Sequence, residues 1–267
     1  MRERRFDPRK PRSRQSRPPG RGRPGPRAER SADGPALVYG WHPVIAALGN
    51  PARRIRKILA TENAARRLAD EGVPLPVEPE LVRPDAIAAQ LPPDAVHQGL
   101  LIETDPLPSP ALEDLPDAGL VLVLDQITDP HNVGAILRSA AAFAATAVVM
   151  TARHSPEATG VLAKSASGAL EYVPIVTVQN LARAMLALKE RGFLLVGLDS
   201  EGESDLAASA LTAPLALVIG AEGKGLRHLT RQTCDLVARL DMPGAIKSLN
   251  VSNATALALY IATTKTA

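Results

Sequence analysis

The sequence predicts an α/β protein whose larger, C-terminal part is built on a parallel sheet covered by helices. Continuous apolar runs at residues 120–124 and 215–219 are typical of strands that are buried on both faces of such a sheet. Between the runs, apolar residues recur at helical spacing, so that strands and helices alternate along the chain. Polar or glycine-rich turns follow these runs, which predicts a ligand site at the carboxyl ends of the strands.

The unit that opens this part is a strand, a polar turn and a helix, followed by a second strand at residues 146–150. Asp129 and Asn132 are helix-start signals in the turn. Arg138 lies off the apolar stripe of the predicted helix and above Gly134, where a ligand backbone could come close. An ordinary solvated arginine is the alternative interpretation.

The same patterns predict the other elements. In the C-terminal part, helices are expected at residues 155–168 and 181–188 and strands at residues 172–178, 193–198 and 237–240. Residues 36–104 are expected to form a separate, small α/β domain, with a turn and short helix at 39–48, helices at 63–70 and 81–90, and strands at 55–60 and 99–103.

Between the two domains, residues 105–117 carry four prolines. Proline-rich spacers are semi-rigid. The sequence therefore predicts a linker that holds the small domain apart from the C-terminal domain, residues 118–267, in a limited set of orientations.

Composition excludes several classes of protein. A single cysteine among 267 residues rules out an intramolecular disulfide framework and argues against a thiolate zinc site. The chain has no apolar run long enough to span a bilayer, and its basic N-terminus lacks the apolar segment of a signal peptide. We therefore expect a cytoplasmic protein with neither a membrane nor a metal partner.

The basic charge is concentrated in an N-terminal tail, residues 1–35. Residues 1–34 hold twelve Lys or Arg against four acids, whereas the net charge of the whole chain is only +3. Arg, Pro, Gly and Ser dominate the tail, which predicts disorder and salt-dependent contacts with RNA phosphates. The alternatives are a merely solubilising tail and a transit peptide, although repeated Pro and Gly would break the helix that a transit peptide needs.

Three motifs follow one another in the C-terminal domain. They are N-x-G-x-x-x-R at residues 132–138, G-x-E-G at residues 220–223 and S-L-N-V-S at residues 248–252. Together they resemble the SpoU/TrmH group of RNA ribose 2'-O-methyltransferases, within the SPOUT superfamily. Three ordered motifs over such a span are far more specific than a single glycine-rich loop.

The resemblance implies a set of properties that the residue patterns alone do not. It implies S-adenosyl-L-methionine as the cofactor, a homodimer, and a C-terminal segment that is threaded into a trefoil knot. The implied catalytic residues are Asn132, Arg138, Glu222, Ser248 and Asn250, and the implied cofactor-binding residues are Gly220, Leu240 and Leu249.

The catalytic positions leave their individual roles open. An arginine is an awkward base, because a guanidinium loses its proton only above pH ~12, so we expect Arg138 to clamp the substrate first and to act as a base second. Glu222 could orient Arg138 through a charge-assisted pair. Asn132 either caps its helix or bonds the ribose, and Ser248 is expected to cap the last helix with Asn250 completing the network.

The glycine loop and the two leucines also have alternative interpretations. The loop at residues 220–225 could cradle phosphate with Lys224 as the counter-charge, but it lacks the spacing of a P-loop. Leu240 and Leu249 suit an adenine face, yet both could simply be core residues.

The small domain points to the substrate. Its YGWHPVIAAL and VHQGLLIE segments resemble the substrate-binding domain of the ribosomal-RNA branch of the family, which is similar to a small α/β fold of some ribosomal proteins. The resemblance implies a guanosine of 23S rRNA, in the loop that contacts peptidyl-tRNA. A tRNA guanosine and a catalytically silent RNA-binding factor are the alternatives. The basic cluster at residues 53–57 could meet phosphates or form a solvated face.

Overall fold

A computed structural model describes residues 35–153, 162, 165–246 and 248–266. These residues form a small N-terminal domain and a larger C-terminal domain. Almost all of the predicted basic tail and most of the helix predicted at residues 155–168 lie outside the described residues.

The N-terminal domain is a four-stranded sheet with strand order β1-β4-β2-β3. Its strands are β1 (Ala36–Tyr39), β2 (Ile55–Ala60), β3 (Glu80–Leu81) and β4 (Leu100–Thr104), and its helices are α1 (Trp41–Gly49), α2 (Glu62–Asp70) and α3 (Pro84–Ala88). Helix α2 begins at Thr61, whose side chain accepts a hydrogen bond from the amide of Ala64, and its Leu68 is completely buried.

The C-terminal domain is a seven-stranded parallel sheet with strand order β7-β6-β5-β10-β8-β11-β9. The strands are β5 (Leu120–Asp125), β6 (Ala147–Thr151), β7 (Ile175–Val178), β8 (Leu194–Leu198), β9 (Ser204–Asp205), β10 (Leu215–Gly220) and β11 (Leu236–Arg239). The helices are α4 (Pro130–Ala142), α5 (Leu181–Glu190), α6 (His228–Thr233) and α7 (Val251–Thr266).

The two predicted apolar runs lie side by side inside this sheet. Strand β5 pairs with β10 in register from Leu120 opposite Leu215 to Asp125 opposite Gly220, and every residue of both strands is buried. One face of the sheet packs on α4 and α7, and the other packs on α5. Burial on both faces explains why these strands read as continuous rather than alternating apolar runs.

Some element boundaries differ from the prediction. Helix α3 is only five residues long, because it begins at Pro84, which fits the first turn of a helix but not its interior. Strand β7 starts at Ile175, since a 3-10 turn at Ala169–Glu171 occupies the chain just before it. The short helix α6 was not predicted.

The prediction that the proline-rich linker holds the two domains apart is wrong. The Ser109 hydroxyl donates to the carbonyl of Ile175 at 2.8 Å and accepts from the amide of Thr177 at 2.9 Å, so the linker lies along edge strand β7. A buried ion pair between Arg53 and Glu171 also joins the two domains directly.

Candidate functional site

The three sequence motifs meet at the carboxyl ends of β5, β10 and β11, next to a cavity of about 1030 Å³. The glycine loop after β10, the segment after β11 and the start of α7 form its walls. Six of the eight site residues predicted from the sequence line this cavity, namely Gly220, Glu222, Leu240, Ser248, Leu249 and Asn250.

The glycine loop is a closed turn. The amide of Gly225 donates to the carbonyl of Ala221 at 2.9 Å, and both Gly223 and Gly225 have positive φ, at 74° and 63°. A Cβ atom on Gly220 would lie 2.3 Å from the carbonyl carbon of Gly225. Glycine is therefore required at residue 220 because the loop folds back on its own backbone, and at residues 223 and 225 because of their conformation.

Two acidic side chains hold the end of this loop. The buried carboxylate of Asp125 accepts from the amide and from Nε of Arg227, at 3.1 and 2.6 Å. Asp199 accepts from the amide of Leu226 at 3.4 Å and forms an ion pair with Arg231 at 3.1 Å. Successive backbone amides are thus fixed by two carboxylates, and each carboxylate is neutralised by an arginine.

The first and third motifs are joined by a direct hydrogen bond. Nδ2 of Asn250 donates to Oδ1 of Asn132 at 3.0 Å, although these residues are 118 positions apart. The side chain of Asp129 accepts from the amide of His131 at 2.9 Å and so caps α4, which leaves Asn132 free for this contact. The hydrogen bond therefore draws the start of α4 to the start of α7.

The expectation that Ser248 caps the last helix is not met by the contacts there. Oδ1 of Asn250 accepts from the amide and the hydroxyl of Ser252, at 2.9 and 2.6 Å. Asn250 therefore satisfies the first turn of α7 as well as binding Asn132.

A second cavity, of about 400 Å³, also adjoins the glycine loop. Its far wall is formed by residues 126–129 and Asn132. Both cavities are lined by Ala221, Glu222, Lys224 and Val251, which therefore form a common wall. Among the described residues, the carboxylate of Glu222 in this wall has neither an ion pair nor a hydrogen bond.

Arg138 lies apart from these residues. It is exposed on α4, lines neither cavity, and forms no ion pair within the described part of the chain. Arg138 and Glu222, which are both among the described residues, do not form the expected ion pair. The predicted site residues thus come together in one chain with the exception of Arg138.

The expected role of Gly134 is wrong. A Cβ atom at this position would lie 2.3 Å from the Cβ of Ser165 and 2.8 Å from the amide nitrogen of Ala166. Gly134 is small so that another segment of the same chain can pack on α4, and not so that a ligand can approach.

Three residues that hold the glycine loop were not predicted from the sequence, namely Asp125, Asp199 and Arg227. Asp125 was detectable in principle, since a charged residue that ends a fully apolar strand at a ligand edge needs a partner. Arg227 and Asp199 had no such signal. Gln126 was missed as well; its φ of 60° is unusual for a residue other than glycine, and it lines the smaller cavity.

The basic cluster is used within the protein. Arg53 pairs with Glu171, Arg54 and Arg56 pair with Asp105, and Lys57 pairs with Glu80. Four charges that looked available for phosphates therefore have acidic partners.

The described residues also bear on three other features: a reactive thiol, a metal site and a membrane-spanning helix. Burial raises the pKa of Cys234 to about 12, so the thiol stays protonated at neutral pH. Within the described ranges, three or more His, Cys, Asp or Glu side chains nowhere gather as they would around a metal ion. None of the described helices combines the length and apolar character that crossing a bilayer requires.

The geometry is matched by comparisons with known proteins. Residues 119–260 match the SpoU rRNA Methylase family, and residues 37–110 match the RNA 2'-O ribose methyltransferase substrate binding family. The chain is 38% identical over 232 residues to the 23S rRNA (guanosine-2'-O-)-methyltransferase RlmB of Pseudomonas putida, covering 84% of this chain and 94% of the relative. The corresponding protein of Vibrio cholerae is 40% identical over 239 residues, with the same coverage.

A solved structure agrees with these matches. The SpoU methyltransferase AviRb from Streptomyces viridochromogenes, in complex with AdoMet, superposes with a TM-score of 0.74 at 27% identity, covering 87% of this chain and 90% of AviRb. The motifs, the sheet on which they lie and both family matches lead to the same conclusion. The chain belongs to the SpoU rRNA methylase family.

Proposed function

We propose that this protein transfers a methyl group from S-adenosyl-L-methionine to the ribose 2'-OH of a guanosine in 23S rRNA, in the loop that contacts peptidyl-tRNA. The observation that carries the proposal is the wall shared by the two cavities. A methyl donor in the larger cavity and a nucleoside in the smaller cavity would come into contact where the two cavities adjoin, beside Glu222 and the Asn132–Asn250 pair. The names of the relatives supply the nucleotide and the RNA.

The larger cavity suits the cofactor. Leu240 and Leu249 give it apolar surface for an adenine ring, and the loop from Gly220 contributes backbone close to the ligand. S-adenosyl-L-methionine supplies an electrophilic methyl group on a positively charged sulfonium. The negative charge of Glu222, which has no ion pair among the described residues, favours that positive charge next to the acceptor.

The smaller cavity suits the acceptor. Its volume of about 400 Å³ lies within the range of ligand sites, and its lining is polar, with Asn132, Glu222 and Lys224 contributing hydrogen-bonding and charged groups. In this proposal Lys224 binds a phosphate and Asn132 holds the ribose. A nucleotide would have to leave its stack to enter, as it does in other enzymes that modify nucleic acids.

Arg138 requires a second chain in this proposal. We infer that the protein is a homodimer in which Arg138 of one chain reaches the site of the other, where it clamps the acceptor phosphate and helps the hydroxyl proton to leave. Exposed apolar side chains on α7 support this inference, because Leu257 and Tyr260 are 47% and 58% exposed. Tyr260 also packs edge-on against Phe143 at the end of α4, with ring centroids 6.4 Å apart.

Three further features belong to the same proposal. The family resemblance implies that the chain from β10 to α7 is threaded as a trefoil knot around the cofactor. The match of residues 37–110 to a substrate-binding family supports an RNA-binding role for the N-terminal domain. We place the activity in the cytoplasm, where ribosomal RNA is found.

Mapping ribose methylation in 23S rRNA tests the function. A strain that lacks the gene should lose one methylated guanosine, and the wild-type gene should restore it. Arg138→Ala should not restore it, whereas Arg183→Ala, a change at an exposed arginine of α5, should. An unchanged 23S rRNA with a lost methyl group in tRNA would replace the proposed substrate by the tRNA alternative.

A mixed dimer tests the shared site. One chain carries Arg138→Ala and the other carries Asn250→Ala, so that each pure dimer is inactive. Recovered activity on mixing would support a site built from two chains. A monomer in sedimentation at working concentration would refute it.

A further inference from the structure

The N-terminal domain contacts the C-terminal domain, here also called the catalytic domain, at a place that has no role in the proposed reaction. Helix α1 packs on the 3-10 turn at Ala169–Glu171, which begins after Gly168. Gly168 has a φ of 92°, and a Cβ atom there would lie 2.6 Å from the Cβ of Ala46 and 3.3 Å from the carbonyl oxygen of His42. The backbone of the turn therefore lies directly against α1.

A buried polar cluster lies beside this contact. The carboxylate of Glu171 accepts from Nδ2 of Asn50 at 2.7 Å and from Nε of Arg53 at 3.2 Å, and it accepts a further hydrogen bond from Nη2 on the same edge of that guanidinium. The side chains of Arg53 and Glu171 are only 5% and 3% exposed. Nη1 of Arg53 also donates to the carbonyl of Asp105 at 3.0 Å, at the start of the linker.

This geometry differs from that of an ordinary surface ion pair. A two-pronged bond between a guanidinium and a carboxylate fixes direction as well as distance. Because both groups are buried, separating the domains would leave each charge without its partner until water reached it. The pair therefore favours one orientation of the domains over all others.

The turn that carries Glu171 packs against helix α4. Ala169 shares a hydrophobic cluster with Val133, Ile136 and Leu137 of α4. Helix α4 carries Asn132 at its start and Arg138 further along. A shift of the turn would consequently displace α4, which holds two of the proposed catalytic residues.

We propose that Arg53 and Glu171 are positioning residues that hold the N-terminal domain at a fixed place relative to α4, so that RNA bound by that domain presents its target ribose to the smaller cavity. This inference rests on the proposed function for its RNA substrate. According to this proposal the contact between the two domains contributes to the reaction, because productive binding of RNA depends on the orientation of the domains.

The main test replaces Glu171 by Gln in the full chain. Glu171→Gln keeps the shape of the side chain but removes the charge, and Arg53→Lys keeps the charge but removes the two-pronged geometry. Lys189→Gln is the matched control, because it breaks an ion pair with Asp235 that lies wholly inside the catalytic domain.

Two readouts separate positioning from general stability. Distances between spin labels on cysteines introduced at Leu81 and Leu229 report the domain orientation, since these side chains are 60% and 59% exposed and lie in different domains. Steady-state methylation of a 23S rRNA fragment gives kcat and KM, and calorimetry gives the affinity for S-adenosyl-L-methionine. Cys234 should not compete for the label, because burial raises its pKa to about 12.

In both variants we expect the label distances to broaden and kcat/KM for RNA to fall about a hundredfold, mainly through KM. The affinity for S-adenosyl-L-methionine should stay at the wild-type value, and the Lys189→Gln control should behave as wild type in every readout. If Glu171→Gln fails to fold, Arg53→Lys alone decides the question. A narrow, wild-type distance distribution, or an unchanged kcat/KM, would overturn the inference.

The outcome remains informative if the proposed function fails. A wild-type protein that does not methylate 23S rRNA would refute the function. The distance distributions would then still show whether the pair fixes the domains, and RNA affinity from filter binding would take the place of KM.

Discussion

Replacing Arg227 by Ala should loosen the glycine loop and destabilise the protein. Nε of Arg227 donates to Oδ1 of Asp125 at 2.6 Å, and its amide donates to Oδ2 at 3.1 Å. The side chain of Asp125 is completely buried, whereas that of Arg227 is 48% exposed. The substitution therefore leaves a buried carboxylate with one of its two charge-assisted donors removed.

The expected loss can be worked out from this geometry. Removing one partner of a fully buried pair costs roughly 3–5 kcal/mol in unfolding free energy. Here water can approach from the side of Arg227 and the backbone amide still donates, so about 2 kcal/mol is the appropriate figure. For a chain of this size that loss corresponds to a melting temperature lower by about 4–8 °C.

Calorimetry measures both consequences. Thermal unfolding of Arg227→Ala gives the melting temperature, and titration with S-adenosyl-L-methionine gives the affinity, which should fall because the loop lines the larger cavity, where we propose that the cofactor binds. Adding Asp125→Asn to the variant should recover part of the melting temperature, since it removes the buried charge. The reasoning fails if Arg227→Ala melts at the wild-type temperature, or if the exposed-arginine control Arg183→Ala loses as much.

Four further outcomes are expected. Gly134→Ala should destabilise the fold by about 1–3 kcal/mol in denaturant unfolding, because the new Cβ would lie 2.3 Å from Ser165. Native Cys234 should resist iodoacetamide, and the unfolding free energy should fall from about pH 9 to pH 12, where only the unfolded thiol loses its proton. Arg138→Lys should abolish methylation in single turnover but keep cofactor affinity. Deleting residues 1–34 should weaken RNA binding and flatten its salt dependence.

The central strands could be predicted from the sequence because burial on both faces leaves a direct trace. Strands β5 and β10 are continuous apolar runs, and the structure gives them the predicted starting residues, Leu120 and Leu215. Helix α5 was equally accessible, since Asn180 supplies its N-cap and its buried residues recur at helical spacing. These signals are local, so they need no knowledge of the fold.

The contacts between distant segments have no such local signal in the sequence. Asn132 bonds Asn250 across 118 residues, and Arg53 bonds Glu171 across 118 residues as well. In the sequence, Arg53 looked like one member of a basic cluster available to phosphates. Only the fold shows that its charge is already neutralised inside the protein.

The sequence likewise does not show which groups lie close to the motif glycines. Gly134 and Gly220 belong to motifs associated with a ligand, yet both are close to backbone of their own chain, at Ala166 and Gly225 respectively. The glycine loop is accordingly held in shape by its own turn and by Asp125 and Asp199. We expect a loop held in this way to lose little freedom on cofactor binding, so that the affinity for the cofactor depends on the carboxylates that lie behind the loop.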